Sequence, residues 1–254
     1  MIRRVAGAAV ALLLCAPAAC GSAGAEDADG TRQLTVFAAA SLTATFTELG
    51  EQFEAAHEGV EVRLNFAGSS DLLAQLQQGA AADVFASADT RSMDKAVAEG
   101  LVEGEPVDFA ANTLEIAVPR DNPAQVSSVQ DLGRPGTAVV VCAPVVPCGA
   151  AAVKVERAAG VDIAPVSEEQ SVLDVLNKVS TGQADAGLVY VTDVAAAGDR
   201  VTGVAFPESA SAVNVYPIAA LADRPATATA RSFIDLVTSD TGRSVLTRAG
   251  FAKP

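Results

Sequence analysis

Hydrophobic residues recur along the chain with two alternating periods, and this alternation predicts an α/β fold. Leu34–Ala38 is an almost continuous apolar run, typical of a strand buried on both faces. Leu42, Phe46, Leu49 and Phe53 then recur at helical spacing. Because strands and helices continue to alternate in this way, the pattern predicts mainly parallel, doubly wound sheets.

Two such α/β series follow one another, which predicts two lobes. The further predicted strands are Val60–Phe66, Asp83–Ala86, Leu114–Val118, Thr137–Val141, Ala186–Tyr190, Val201–Phe206 and Val213–Leu221. The chain is expected to cross between lobes near Ala111–Val118 and again near Val213–Ala219. The first lobe is then discontinuous, with residues 33–113 and 217–254, and the second lobe comprises residues 114–216.

The N-terminus resembles an export signal. A basic start and the apolar segment Val5–Leu14 predict a signal peptide over residues 1–19. The Ala-Ala-Cys-Gly-Ser sequence around Cys20 resembles a lipoprotein processing site, so Cys20 is the expected lipid anchor at the outer face of the cytoplasmic membrane. Cleavage after Ala25 without lipid is the alternative. The small, polar residues of 20–32 are expected to form a flexible tether.

Export also guides the interpretation of the cysteines. Cys15 lies in the predicted signal peptide and Cys20 is the predicted anchor, which leaves Cys142 and Cys148. In an oxidising compartment, two cysteines this close most simply form a disulfide. A zinc site is disfavoured, because two thiols and the single histidine, His57, do not complete one.

Composition excludes several functions. A net charge of -14 argues against nucleic acid as a partner, because few basic groups are available to neutralise phosphates. The chain has one histidine and no nucleophile elbow, phosphate-binding loop or dinucleotide fingerprint. We therefore expect neither an enzyme nor a bound cofactor. An acidic protein can still bind a small anion through hydroxyls and backbone dipoles.

Four predicted strand-to-helix or loop-to-helix turns have the chemistry to do this. They contain Ser41, Gly68-Ser69-Ser70, Pro147-Cys148-Gly149 and Gln170-Ser171-Val172, two in each lobe. The free N–H groups at a helix start attract anions, and a serine there adds a hydroxyl donor. Any one of these turns could be an ordinary helix cap. Tyr190, at the end of a predicted strand, could add a phenolic donor.

Several motifs in these regions closely resemble those of the molybdate-binding proteins of ABC importers. The motifs are Val36-Phe-Ala-Ala-Ala-Ser-Leu42, Asn65-Phe-Ala-Gly-Ser-Ser70, Ala82-Asp-Val-Phe-Ala-Ser-Ala-Asp89 and Gly187-Leu-Val-Tyr190. The resemblance runs from about Leu34 to Phe251. It implies a type II periplasmic-binding-protein fold, in which two lobes joined by two crossover strands close on an oxyanion.

The resemblance also implies a set of ligand contacts. Hydroxyls of Ser41 and Ser69, backbone groups of Cys148 and Val172, and Tyr190 would hold molybdate, and tungstate as well. Cys148 departs from the family pattern, where a small residue such as alanine is common. The implied protein is a monomer that delivers its ligand to an ABC transporter permease.

Other solutes stay open as alternatives. Sulfate shares the charge and shape of molybdate, so the two would be separated by cavity size. Ferric iron would require Tyr190 and Tyr216 to converge, whereas Tyr216 is expected to be structural within its strand. An extracytoplasmic oxyanion sensor is a further alternative.

Overall fold

A computed structural model of the chain describes residues 31–254, and two five-stranded sheets organise it. The first lobe has its strands in the order β2-β1-β3-β10-β4 and the second in the order β7-β6-β8-β5-β9. The strands are β1 Arg32–Ala39, β2 Val60–Ala67, β3 Val84–Ala86, β4 Val102–Asn112, β5 Leu114–Pro119, β6 Val139–Cys142, β7 Ser167–Glu169, β8 Ala186–Tyr190, β9 Val201–Val204 and β10 Asn214–Leu221. The predicted two-lobed periplasmic-binding-protein fold is confirmed.

Helices cover the faces of both sheets. In chain order they are α1 Thr43–Ala56, α2 Ser69–Gln77, α3 Thr90–Ala98, α4 Pro147–Ala159, α5 Val172–Ser180, α6 Val191–Ala197, α7 Thr227–Thr238 and α8 Asp240–Arg248. The C-terminal helices α7 and α8 contribute buried residues to the first lobe, among them Phe233 and Leu246. This lobe is therefore built from two separate stretches of chain.

The sheets are mixed, not mainly parallel as the alternation predicted. β1 pairs in parallel with β2 and β3, but β10 runs antiparallel to β3 and β4. In the second sheet β6 is parallel to β7 and β8, whereas β5 is antiparallel to β8 and β9. The reversed strands β5 and β10 are those that arrive from the other lobe, so their direction is set by the crossovers.

Two predicted boundaries shift. Asn214, Val215 and Tyr216 pair with β4 of the first sheet, whereas the predicted division placed residues 214–216 in the second lobe. Arg32, assigned to the flexible tether, begins β1 and pairs with Val60. The predicted signal peptide, Cys20 and the rest of the tether up to residue 30 lie outside the described residues. Within residues 31–254, no helix is both long and apolar enough to span a membrane.

The sequence pattern did not reveal three of the elements. β4 contains Gly104 and Pro106 among acidic residues, and it is tolerated because it is an edge strand. β7 is another short, polar edge strand. α6 begins directly after β8, at Val191, with no intervening turn residues to announce it.

Three clusters of buried hydrophobic residues form the cores of the two lobes. Two pack on opposite faces of the first sheet, one around Phe46 and Phe233 and the other around Leu72 and Phe85. A third cluster forms the core of the second lobe and is made mainly of valine, alanine and leucine. Each lobe therefore has its own core, and the carboxyl ends of the parallel strands face the cleft between them.

Candidate functional site

The four predicted turns meet at one cavity between the lobes. It is small: its volume of about 10 Å³ lies far below the roughly 300–1,000 Å³ of sites for drug-sized ligands. Its lining includes all five residues singled out from the sequence, namely Ser41, Ser69, Cys148, Val172 and Tyr190. The structure thus brings together residues that lie up to 149 positions apart in the sequence.

Ser41 is not a helix cap. It lies within a 3-10 turn, Ala40–Leu42, which is preceded by Ala39 and has no side-chain cap. Its Oγ instead lies 3.0 Å from the Tyr216 hydroxyl, within hydrogen-bond distance. The interpretation of Ser41 as a helix cap is therefore wrong. Ser41 lines the cavity with its hydroxyl paired to that of Tyr216, and it can donate to a ligand when Tyr216 is the donor of that pair.

Ser69 is the first residue of α2, and Gly68 occupies the cap position without a side-chain hydrogen bond. The Ser69 Oγ accepts a hydrogen bond of 3.0 Å from the backbone N–H of Ala88. Because that N–H occupies an acceptor site of the oxygen, the Ser69 proton remains free to be donated elsewhere. Ser69 is buried and lines the cavity, so it is suited to be a donor there.

The second lobe contributes two helix N-termini. Cys148 is the second residue of α4, and Val172 is the first residue of α5. N–H groups in the first turn of a helix have no acceptor within the helix, so they can bind an anion. Of the four turns only Ser171 acts as a true side-chain cap, accepting a hydrogen bond from the Asp174 N–H.

The predicted disulfide is present between Cys142 and Cys148, with an S–S distance of 2.03 Å. Cys142 ends β6 and Cys148 lies in the first turn of α4. The bridge therefore ties the strand directly to the helix whose N-terminus lines the cavity. It fixes the short loop between them, including Val145.

Tyr190 and Tyr216 converge, contrary to the expectation that Tyr216 is only structural. Their ring centroids lie 6.0 Å apart and both side chains are buried. Burial raises the pKa of both phenols well above the ordinary value of 10. The phenols therefore stay protonated, and each keeps a proton that it can donate. Iron binding needs phenolate oxygens, and within residues 31–254 no group of three His, Cys, Asp or Glu residues could hold a metal ion.

The cavity lining carries no charged side chain among the described residues. The nearby carboxylate of Glu169 is engaged elsewhere, in an ion pair with Lys178. Asp193 differs from the other carboxylates in the described residues because it is buried. It lies next to Tyr190 and accepts a hydrogen bond of 2.9 Å from the backbone N–H of Tyr190. Burial raises the Asp193 pKa from 3.8 to about 7. The lining suits a ligand that only accepts hydrogen bonds.

The lobes are closed over the cavity. A Cβ atom placed on Gly68 would lie 2.1 Å from the carbonyl oxygen of Gln170 in the opposite lobe. The Val145 carbonyl oxygen also accepts two hydrogen bonds from the first lobe, each 2.8 Å long, from Ser70 Oγ and Arg91 Nη2. These two hydrogen bonds therefore hold the lobes in the closed arrangement, and we call them the latch.

Three further residues belong to the site and were missed in the sequence. Tyr216 supports Ser41, the Ala88 N–H supports Ser69, and the side chain of Asn214 donates to the Tyr190 hydroxyl at 3.0 Å. Ala88 lies inside the motif Ala82–Asp89, but the role of its backbone N–H leaves no trace in the sequence. Asn214 and Tyr216 lie at alternate positions of β10, a pattern that could have indicated two polar side chains on one face.

A cavity between two α/β lobes, lined by hydrogen-bond donors and closed by a latch, defines the class of two-lobed periplasmic binding proteins. The model of the bacterial extracellular solute-binding protein family matches residues 34–252. The chain belongs to this family. Its relatives are solute-binding proteins, not enzymes.

Two relatives make the resemblance more specific. The chain is 52% identical over 253 residues to the molybdate-binding protein ModA of Mycobacterium tuberculosis, covering 98% of this chain and 97% of that protein. It is 31% identical over 234 residues to the molybdate-binding protein ModA of Escherichia coli, covering 86% and 88%. The resemblance inferred from the sequence motifs is thereby confirmed.

Solved structures show the same fold at lower identity. The periplasmic molybdate-binding protein of Azotobacter vinelandii matches with a TM-score of 0.77 at 22% identity, covering 87% of this chain and 99% of that one. The sulfate-binding protein SubI of Mycobacterium tuberculosis matches with a TM-score of 0.75 at 18% identity, covering 87% and 86%. At these identities the likeness concerns the fold alone.

Proposed function

We propose that this protein captures molybdate, and also tungstate, between its lobes and delivers it to an ABC importer. The observation that supports this most is the donor-only cavity. Ser41, Ser69 and Tyr190, which carry hydroxyls, and Cys148 and Val172, which lie in the first turns of helices, line one cavity between closed lobes. The 52% identity to a molybdate-binding protein over nearly the whole chain supports the choice of oxyanion.

The chemistry of the ligand fits that lining. Molybdate is fully deprotonated at neutral pH, so its oxygens only accept hydrogen bonds. Hydrogen bonds to a charged partner contribute roughly 1.5–3 kcal/mol each. Five of them can support micromolar to nanomolar dissociation constants after the costs of ordering. A monoprotonated phosphate also donates a proton, and among the described residues that line the cavity no side-chain carboxylate is there to accept it.

Calorimetric titration of the purified protein with molybdate, tungstate, sulfate and phosphate tests this proposal. We expect tight binding of molybdate and tungstate and weak or no binding of phosphate. Tight binding of sulfate with no binding of molybdate would assign the protein to sulfate, since cavity size alone separates the two dianions. If no oxyanion binds, the proposed site is wrong.

The same titration tests the two serines. Ser41→Ala and Ser69→Ala should each weaken molybdate binding by about 10- to 100-fold, the loss expected for one hydrogen bond to a charged ligand. Ser232→Ala is the matched control, because its hydroxyl bonds to the Ala228 carbonyl on exposed α7. If both site variants bind like the control, these residues do not contact the ligand.

We further propose that the protein is exported and is a monomer anchored through lipid on Cys20. The supporting features are the basic and apolar N-terminal segment and the small residues around Cys20. Mass spectrometry of the N-terminal peptide of the mature protein tests the anchor. A diacylglyceryl adduct on Cys20 supports it, whereas an unmodified peptide that starts at Glu26 indicates cleavage after Ala25.

A further inference from the structure

A donor-only site built from hydroxyls has to control the direction of each hydroxyl. A hydroxyl group both donates and accepts, so it can present either its proton or its lone pairs to a ligand. For Ser69 the direction is set by the Ala88 N–H, which donates to its oxygen at 3.0 Å. For Tyr190, the direction of the hydroxyl is set by Asn214.

Asn214 is the first residue of β10, and it is buried, with an exposed fraction of 6%. Its side-chain nitrogen donates to the Ala88 carbonyl at 2.7 Å and to the Tyr190 hydroxyl at 3.0 Å. A carbonyl can only accept, so the amide atom that faces Ala88 must be the NH₂ group. The orientation of the Asn214 amide is therefore fixed by the backbone.

This orientation determines that of Tyr190. Because the NH₂ group can only donate, the Tyr190 oxygen must accept from Asn214. The phenolic proton then points away from Asn214, toward the ligand cavity that Tyr190 lines or toward the neighbouring Tyr216 hydroxyl, and an oxyanion in the cavity would draw the proton to itself. Asn214 itself does not line that cavity but a neighbouring groove between the lobes.

Asn214 also connects the two halves of the site. Ala88 holds Ser69 through its N–H and is held by Asn214 through its carbonyl. Ser69 and Ala88 belong to the first lobe, whereas Tyr190 belongs to the second. One amide at a crossover thus contacts, directly or through Ala88, a site hydroxyl in each lobe.

We propose that Asn214 is a positioning residue that makes Tyr190 a hydrogen-bond donor to the oxyanion and that holds Ala88 in place behind Ser69. This inference rests on the proposed function, because it concerns the same cavity. It predicts that the contribution of Asn214 to affinity passes mainly through the Tyr190 hydroxyl.

A double-mutant cycle tests the inference, with molybdate affinity measured by calorimetry for the wild type, Asn214→Ala, Tyr190→Phe and the double variant. We expect each single variant to lose about tenfold or more in affinity. In the Tyr190→Phe background, Asn214→Ala should cost several-fold less than in the wild type, because residues that act through one hydroxyl are not additive.

Asn65 provides the control. It is a partly buried asparagine of β2, and its side-chain nitrogen donates to the Gln75 side chain at 3.2 Å. Asn65→Ala removes a similar amide from a residue that does not line the ligand cavity. Its effect on affinity should be smaller and should add independently to that of Tyr190→Phe.

Asn214→Asp is a second variant of nearly the same shape. A carboxylate accepts where the amide donated, so it should draw the Tyr190 proton toward itself and weaken molybdate binding at least as much as Asn214→Ala. It serves as the replacement member of the cycle if the alanine variant does not fold. Rescue of affinity in this variant would contradict the inference.

The remaining outcomes are distinct. Strict additivity of Asn214→Ala with Tyr190→Phe, or an equal loss in Asn65→Ala, would mean that Asn214 is only structural, while the proposed function stands. If wild-type protein binds none of the four oxyanions, the proposed function fails and the inference fails with it.

Discussion

The two lobes share one topology but place different chemical groups at the cavity between them. In each sheet a first strand lies between the second and third strands of its series, giving β2-β1-β3 in one lobe and β7-β6-β8 in the other. Even a small detail recurs: Asp83 accepts the Thr35 N–H and Asp185 accepts the Ala138 N–H, both at 2.8 Å. The lobes are two versions of the same βαβαβ unit.

The site residues occupy equivalent positions in these units. Ser41 and Cys148 each follow the first strand of their unit, and Ser69 and Val172 each begin the helix after the second strand. The first lobe has side-chain hydroxyls at these positions, whereas the second has the N-termini of helices, whose backbone N–H groups are the proposed donors. The fold thus provides equivalent positions at the cavity in both lobes. Either a side-chain hydroxyl or a backbone N–H can supply the hydrogen-bond donor there.

The cores differ as well. Aromatic rings cluster in the first lobe, where Phe46, Phe53, Phe109 and Phe233 form ring pairs with centroids 5.4–5.9 Å apart. The buried cluster of the second lobe is mostly aliphatic, and a disulfide crosslinks its binding loop. We expect a substitution at the cleft surface of the first lobe to affect mainly closure. Removal of the disulfide in the second lobe should affect mainly stability.

The largest effect is expected for Gly68→Ala. Gly68 has φ −59° and ψ 139°, a conformation open to alanine, so the first lobe should fold normally. The new Cβ would lie 2.1 Å from the Gln170 oxygen and would block closure. Since only closed protein binds tightly, molybdate affinity should fall by about 100-fold or more.

Calorimetry and small-angle scattering with and without molybdate measure this change. The wild type should contract on binding and the variant should not, with little change in its thermal midpoint. Gly50→Ala is the control, because its Cβ would meet ordinary contacts at 3.5 Å within the first lobe. Normal affinity in Gly68→Ala would show that the lobes tolerate a wider closed state.

An intermediate effect, on stability, is expected from the disulfide of the second lobe. Replacing Cys142 and Cys148 together by serine should lower the free energy of unfolding by about 2–3 kcal/mol, the entropic value for so short a loop. The backbone N–H of residue 148 is retained, so affinity should fall much less than in Gly68→Ala. Denaturant unfolding of the variant, and of wild type with and without reductant, measures the change.

If the serine pair loses affinity as strongly as Gly68→Ala while staying folded, the bridge presets the anion-binding turn more than it stabilises the lobe. Equal unfolding curves for oxidised and reduced wild type would contradict a stabilising role.

The smallest effect on molybdate affinity is expected for Asp193, which gives the stability of the second lobe a pH dependence. Burial raises its pKa to about 7 in the folded protein, against 3.8 ordinarily. Between about pH 4 and 7 the folded state therefore binds a proton that the unfolded state has lost. This contribution makes stability decrease as the pH rises through that window, and it stays constant above it.

Asp193→Asn keeps an acceptor for the Tyr190 N–H and removes the ionisation. We expect the variant to be more stable than wild type at pH 8 and to be less sensitive to pH between 5 and 8. Thermal unfolding at a series of pH values measures this. An unchanged pH profile would mean that Asp193 is not the group that titrates.

Much of this protein follows from local sequence patterns. The strand and helix periods gave the α/β class and most of the elements, because burial on a sheet or helix face leaves a direct trace in the order of residues. β4 was missed because its Gly104 and Pro106 suit an edge strand, and edge position is not encoded locally. The prediction of mainly parallel sheets was wrong because the direction of β5 and β10 depends on how the chain crosses between the lobes, and a local pattern of residues does not show this.

The sequence by itself indicated the candidate donor turns, at Ser41 and at Ser69-Ser70, the phenol of Tyr190, and the pairing of Cys142 with Cys148. The choice of Ser69 over Ser70 came from the family resemblance. The backbone donors at Cys148 and Val172 came from resemblance, since a backbone N–H exists at almost every residue. Only the tertiary structure decided that Ser41 pairs with Tyr216, and that Asn214 faces Tyr190. The reason is physical: the direction of a hydroxyl is set by what lies behind it, and those partners come from distant parts of the chain.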